Sequence, residues 1–400
     1  MKKTNRINLL TKTISRGLAP LLLAAACVLN AELFQFEATR DIWVLLGSRL
    51  LLVAIVLIPF FQLKPYVPWP LLFMGEVVAI GFSWCPTTYL YVYASYLFMT
   101  LGVLCLYFGL LKEKRLPIFF AGLAFGVNVF LRIMNFAEIS FVVVIWYVSI
   151  LMKDKKWIKR SLLFVGGFCS GLLIGTILFF LLVGVENVRG TLSWLSHVFT
   201  FSRIQTGAVV FWSMLKNVFL IYYQNLPWFL AFLALVGFGN VLYLVKKDKG
   251  LFIKRILFVA VTTFFMVWYA KMGVMSAQYK STNSFFSLAV VFIMLSICIY
   301  VLMLFLPGMK TGERTLGLIA LIILLIAPLG SNNHLFTCMN QLYLVAPITI
   351  VGGCRLSGMA TKHGVHEPLI ITGIVLLATL MVQAVLFRCN YVFYDIPIPF

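Results

Sequence analysis

Residues 116–152 read LPIFFAGLAFGVNVFLRIMNFAEISFVVVIWYVSILM, flanked by Lys112-Glu113-Lys114-Arg115 and by Lys153-Asp154-Lys155-Lys156. Among these 37 residues only Arg132 and Glu138 are charged. A helical crossing of a bilayer takes roughly 17–25 residues, so the run holds two crossings, turning near Asn135. It is the tightest hairpin in the chain, and its bracketing by basic residues recurs throughout.

Basic islands fall at Lys2 to Arg16, Lys64, Lys112 to Arg115, Lys153 to Arg160, Lys246 to Arg255, Lys310 to Arg314, and at Arg355 with Lys362. The gaps between them, 17–63, 65–111, 116–152, 161–245, 256–309 and 315–354, each have room for two crossings. If the islands share one aqueous side, as the positive-inside rule requires, every gap must hold an even number. An apolar run at about 368–387 adds one more. The expected architecture is an all-α polytopic transmembrane helical bundle of about 13 spans with a cytoplasmic N-terminus. Unpaired backbone amides are too costly in hydrocarbon for anything but helices or closed barrels, and the short alternating pattern of a barrel is missing.

Composition agrees. Of 400 residues 62% are hydrophobic and 11% charged, with a mean hydropathy of +1.03. The formal charge of +20 would suggest nucleic acid in a soluble protein, but here it lies in loops between apolar runs and reads as topology. Soluble enzymes and nucleic-acid binders are thereby excluded, and the polar material is too short for a second domain. Eight cysteines without paired spacing give neither a disulfide framework nor a metal set. Walker loops, HExxH and GxSxG are absent from the sequence. The expected organisation is a basic tail at 1–16 and one multi-span domain at 17–400, its first span retained rather than cleaved. The location is the plasma membrane or bacterial inner membrane, crossed many times.

With this topology the unusual polar residues gather at the outer tips. In LRIMNFAE, Arg132, Asn135 and Glu138 recur at spacing three, which on a helix places them on one face. Such a face suits an anionic lipid phosphate held by guanidinium and amide, with Glu138 orienting the arginine or binding sugar hydroxyls. The alternative is an internal Arg132–Glu138 pair that only closes the hairpin. The first tip, ELFQFEATRD, supplies Glu37 and Asp41 as candidate general bases or holders of a divalent cation, or is a solvated turn. In GSNNHLFTCMNQ, Asn332, Asn333 and His334 suit a hydroxyl-rich sugar or acceptor, or cap helices at a turn. The outer segment at about 184–217 has the apolar spacing of an interfacial amphipathic helix. Glu76, inside the second hairpin, either has a functional role or bonds a neighbouring helix.

The stretch from GFSWCPTTYLYVYASYLFMTLG through AGLAFGVNVFLR and NFAE resembles the GT-C superfamily of multi-spanning glycosyltransferases, in particular bacterial members. PLGSNNHLFTCMNQLYLVAP resembles a late motif of such proteins. The resemblance touches about a third of the chain. It implies a GT-C-like fold and sugar transfer from a polyprenyl-phosphate donor to an envelope glycan, lipid or protein acceptor at the outer face. Asp41 or Glu37 is then the catalytic acid residue and Arg132 a phosphate ligand. The partners implied are the lipid-linked sugar and membrane lipids, with no nucleic acid and no cofactor beyond a divalent cation. The sequence departs from the family in its first outer loop, ten residues from Glu32 to Asp41 where GT-C enzymes carry a longer acidic loop. That departure keeps open an inactive scaffold, beside a transporter or flippase, for lipid-linked glycans.

Overall fold

The computed structural model describes residues 14–29, 42–82, 90–184, 190, 207–244, 250–274, 282–329, 335–339, 341–360, 368, 371–372 and 375. Among the described residues the chain is helical and has no strand. After a π-helical turn at Ile14–Leu18 come α1 (Ala19–Leu29), α2 (Ile42–Leu63), α3 (Trp69–Phe82), α4 (Leu90–Leu111) and α5 (Arg115–Leu131). A 3-10 helix (Ile133–Phe141) runs into α6 (Val142–Leu151), followed by α7 (Trp157–Val183) and α8 (Gly207–Leu244). The order closes with α9 (Leu251–Lys271), α10 (Thr282–Phe305), α11 (Thr311–Ile326), α12 (Phe336–Met339) and α13 (Leu342–Ala360).

Among the described residues six helical stretches are long and apolar enough to cross a membrane: 92–111, 133–151, 157–181, 215–242, 251–271 and 287–305. Five shorter apolar helices accompany them. The protein is thus a helical bundle of membrane character. Apart from α12, two described helices fall to each of the six gaps between basic islands. Neighbouring islands also meet. Glu113, in the turn after α4, pairs with Lys156 at 3.6 Å and Arg160 at 3.7 Å. Lys64, just past α2, is held below the ordinary lysine value by burial and by the Arg16 charge before α1.

The chain divides into two compact units, one of residues 1–90, 222–307 and 338–400, the other of 91–221 and 308–337. In the second, the tightest packing joins α5 to α7. Gly122 and Gly126 face Gly167 and Gly171, so closely that a Cβ on Gly122 would lie 2.0 Å from the Phe164 carbonyl oxygen and one on Gly126 2.1 Å from that of Phe168. Lipid tails are as apolar as leucine and give helices no hydrophobic reason to associate, so small residues that allow backbones to touch supply the attraction. The spacing of four on both helices makes one continuous seam.

The 3-10 helix resolves the shortage of residues in the tight hairpin. Nine residues at about 2.0 Å rise and ten α-helical ones at about 1.5 Å reach about 33 Å, against about 28 Å for an α-helix of the same length. That matches a hydrocarbon core of about 30 Å. The reversal falls at Arg132, in extended conformation (φ −155°, ψ 117°), three residues before the expected turn at Asn135. Pro117, in the first turn of α5, costs no helical hydrogen bond there.

In the first unit, α3 packs on α13, where a Cβ on Gly75 would lie 2.3 Å from the Cα of Pro347. Tyr300 on α10 meets α13 through its hydroxyl, bonded to the Val345 carbonyl and the Thr349 hydroxyl at 2.6 Å each, and Thr349 donates to Ser296 at 2.9 Å. This hydroxyl chain closes on itself without a charge.

Candidate functional site: a buried polar cluster beneath the hairpin turn

Three residues per turn makes positions three apart eclipse each other, so one stripe of the 3-10 helix carries Asn135, Glu138 and Phe141, all buried. Ile133, Met134 and Phe136 are exposed. The helix therefore turns its polar residues inward and its apolar ones outward, as a bilayer requires. Phe141 locks the register by stacking on Phe125 of α5, centroids 4.9 Å apart.

Glu138 accepts a hydrogen bond from the Asn128 amide of α5 at 2.7 Å. The Asn135 amide donates to Ser95 Oγ of α4 at 2.7 Å and to the Asn128 carbonyl at 3.1 Å, adding a second donor to a carbonyl in the last turn of α5. Three helical segments are thus joined by one amide-carboxylate cluster. It is not closed. Among the described residues, Glu138 Oε2, Asn128 Oδ1 and Ser140 Oγ are buried without a hydrogen-bond partner. The two carboxyl and amide oxygens are acceptors, so the cluster has an excess of acceptor capacity and a demand for donors such as hydroxyl groups or a cation. A phosphate brings only more acceptors, and Arg132 at the turn is the nearby group of suitable charge.

Of the residues proposed to hold the lipid phosphate, Asn135 and Glu138 share the eclipsed stripe, while Arg132 stands one residue outside the 3-10 helix as its extended N-cap. Glu138 takes its hydrogen bond from Asn128 rather than from Arg132. Asp41, Glu37, Asn332, Asn333 and His334 lie outside the described residues, as does most of 184–217; Lys216 falls on α8. Among the described residues no three His, Cys, Asp or Glu side chains come together as a metal set. Asn128 and Ser95 were not legible as partners, because their link to Glu138 and Asn135 crosses a turn and a helix boundary. An amide inside an apolar run was the signal available for Asn128.

Glu76 occupies the middle of α3, almost wholly buried, with neither carboxylate oxygen hydrogen-bonded among the described residues. The simple expectation that it bonds a neighbouring helix does not hold.

Comparison of the chain with protein-family models, curated proteins and solved structures finds no match. The reading of the site therefore rests on its own chemistry.

Proposed function

We propose that the protein is a membrane glycosyltransferase-like enzyme of GT-C type. It transfers a sugar from a polyprenyl-phosphate donor to an envelope glycan, lipid or protein acceptor at the outer face of the inner or plasma membrane. The count of about 13 spans, with the N-terminus cytoplasmic, belongs to this reading. The observation that supports it is the open polar cluster of Asn128, Asn135 and Glu138 next to Arg132, at the opposite end of the hairpin from the Glu113–Arg160 ion pair. Intramembrane polar groups are costly and are kept where they serve a ligand or pathway. In this scheme Arg132 meets the lipid phosphate, the surplus acceptors take sugar hydroxyls, Asn332, Asn333 and His334 add contacts, and Asp41 or Glu37 is the base.

The test is transfer from a radiolabelled polyprenyl-phosphate sugar in membranes. Arg132→Ala and Asp41→Ala should each lose at least tenfold in rate, since a charged contact to the reacting groups contributes on the order of 10²-fold or more. Undiminished transfer in both variants removes the assignment.

A second reading, a transporter or flippase for lipid-linked glycans, is favoured by Glu76. An unpartnered acid midway along an apolar helix is what a transport pathway uses. Glu76→Gln would then slow movement of a fluorescent lipid-linked glycan across proteoliposomes while leaving sugar transfer at zero in both proteins.

A further inference from the structure

Away from the polar cluster, at the basic end of the same hairpin, a pocket of about 630 Å³ opens between the end of α6 and the start of α7. Its walls are Trp146, Ser149, Ile150, Lys153, Lys155 and Trp157, with Asp154 at the turn. We propose that this pocket binds one anionic phospholipid, the phosphate held by Lys153 and Lys155 and the upper acyl chains lying against Trp146, Ile150 and Trp157.

Position comes first. The pocket lies where the apolar stretches 133–151 and 157–181 end and begin, the depth at which hydrocarbon gives way to headgroups. Two tryptophans at this level, 44% and 45% exposed, fit the interfacial belt. The Trp146 indole N–H is already spent on Ser161 Oγ at 3.0 Å, so the ring presents itself as apolar wall.

Charge is the second observation. Asp154 is neutralised locally, one carboxylate oxygen 2.8 Å from Arg160 and the other accepting the Lys156 backbone N–H at 2.9 Å. Lys153 and Lys155 have no ion pair among the described residues. Two lysines without an ion pair among the described residues therefore border an apolar groove whose one acid, Asp154, is already paired. The first turn of α7 adds backbone N–H groups with no side-chain cap, an end of positive potential.

Third, Ser149 is buried, lines the pocket and has, among the described residues, no hydrogen-bond partner for its hydroxyl. An orphan hydroxyl beside two unpaired lysines is a ready phosphate donor.

The backbone of Lys153 is the fourth. It sits at φ +52°, the left-handed residue that ends α6, with its N–H bonded to the Ile150 carbonyl at 3.1 Å and the next N–H to that of Ser149 at 2.9 Å. The same ending at α9 uses Gly273, which adopts this conformation without steric cost. A lysine is kept there at a cost, yet among the described residues no acid receives its charge. Strain of this kind points to a ligand. The apolar walls, at the depth of acyl chains, select a phospholipid over free phosphate.

Native mass spectrometry of the purified full chain, after exchange through detergent, reads the result directly. From bilayers mixing phosphatidylglycerol and phosphatidylcholine, the protein should retain one phosphatidylglycerol and no preferred phosphatidylcholine. Lys153→Gly with Lys155→Gln should weaken retention by roughly 10–30-fold, as expected for two lysines at a membrane surface. Lys153→Gly alone should melt no lower than the parent, because glycine relieves the left-handed residue, and yet bind the lipid less well. Lys114→Gln, at the neighbouring turn, should leave retention unchanged. Equal retention of both headgroups, or undiminished binding in the double variant, overturns the proposal; the headgroup comparison in the parent protein decides it even if a variant does not fold.

Discussion

Glu138 and Glu76 set two regions of the molecule side by side. Each is a buried glutamate; Glu76 follows Gly75, whose backbone meets α13, and Glu138 bonds Asn128, two residues beyond Gly126 of the α5–α7 seam. Around Glu138 the chain supplies an amide from Asn128, and Asn135 and Ser95 extend the network. Around Glu76, among the described residues, it supplies no hydrogen bond. A buried polar group with partners can contribute to the fold, whereas one without them only subtracts from it. The first therefore has structural value through its hydrogen bond, while the second, among the described residues, gains none from hydrogen bonding.

Substitutions at five positions would break or sharpen that contrast. Gly126→Leu and Gly75→Leu should have the largest effect, since in both places the new side chain runs into a backbone. Each should cost about 3 kcal/mol or more, read as loss of the monodisperse peak in detergent size-exclusion. If either is tolerated, its helix contact is not what holds the glutamate in place.

Glu76→Leu should come next, and with the opposite sign. Removing an unpartnered buried carboxylate should raise stability by about 1–3 kcal/mol, seen as a higher melting temperature by fluorescence scanning. A lower melting temperature would mean that Glu76 has a structural partner. Glu138→Ala strands the Asn128 amide and should lower stability by about 1–2 kcal/mol, with Glu138→Gln recovering most of it. Equal melting of the alanine and glutamine variants would remove the hydrogen bond from the account.

The exposed Glu113 serves as the smallest case. It stands at φ +52° after α4, in the helix ending that glycine favours, and its ion pairs among the described residues are one to exposed Lys156 and a longer one, 3.7 Å, to buried Arg160, which keeps Asp154 at 2.8 Å as its nearer partner. Glu113→Gly relieves about 1 kcal/mol of backbone strain and loses about the same or less in ion pairing. The net change should stay within about 0.5 kcal/mol, measured by the same melting assay in low and high salt.

The sequence made the bundle legible because a bilayer imposes a coarse rule. Apolar runs of sufficient length and islands of basic charge can be counted without any knowledge of packing. The pairing of two helices with each gap follows from that count. The spacing of Arg132, Asn135 and Glu138 was visible too, but its meaning was not. Whether residues three apart share a face toward ligand or toward the interior depends on helix type and on what packs behind. Asn128 illustrates the same gap, since nothing in a linear run shows that it reaches Glu138 across the turn at Arg132. The seam of Gly122, Gly126, Gly167 and Gly171 could have been found by its spacing of four on two helices, α5 and α7.

The amino-acid order alone settled the membrane character of the chain, its helical class and the pairing of helices between basic islands, because transfer into hydrocarbon depends on composition and length. Tertiary structure alone decided that Glu138 has a partner and Glu76 has none among the described residues, and that Lys153 and Lys155 border an apolar pocket. Those outcomes depend on which side chains from separate helices come within hydrogen-bonding distance, and that distance is fixed by packing.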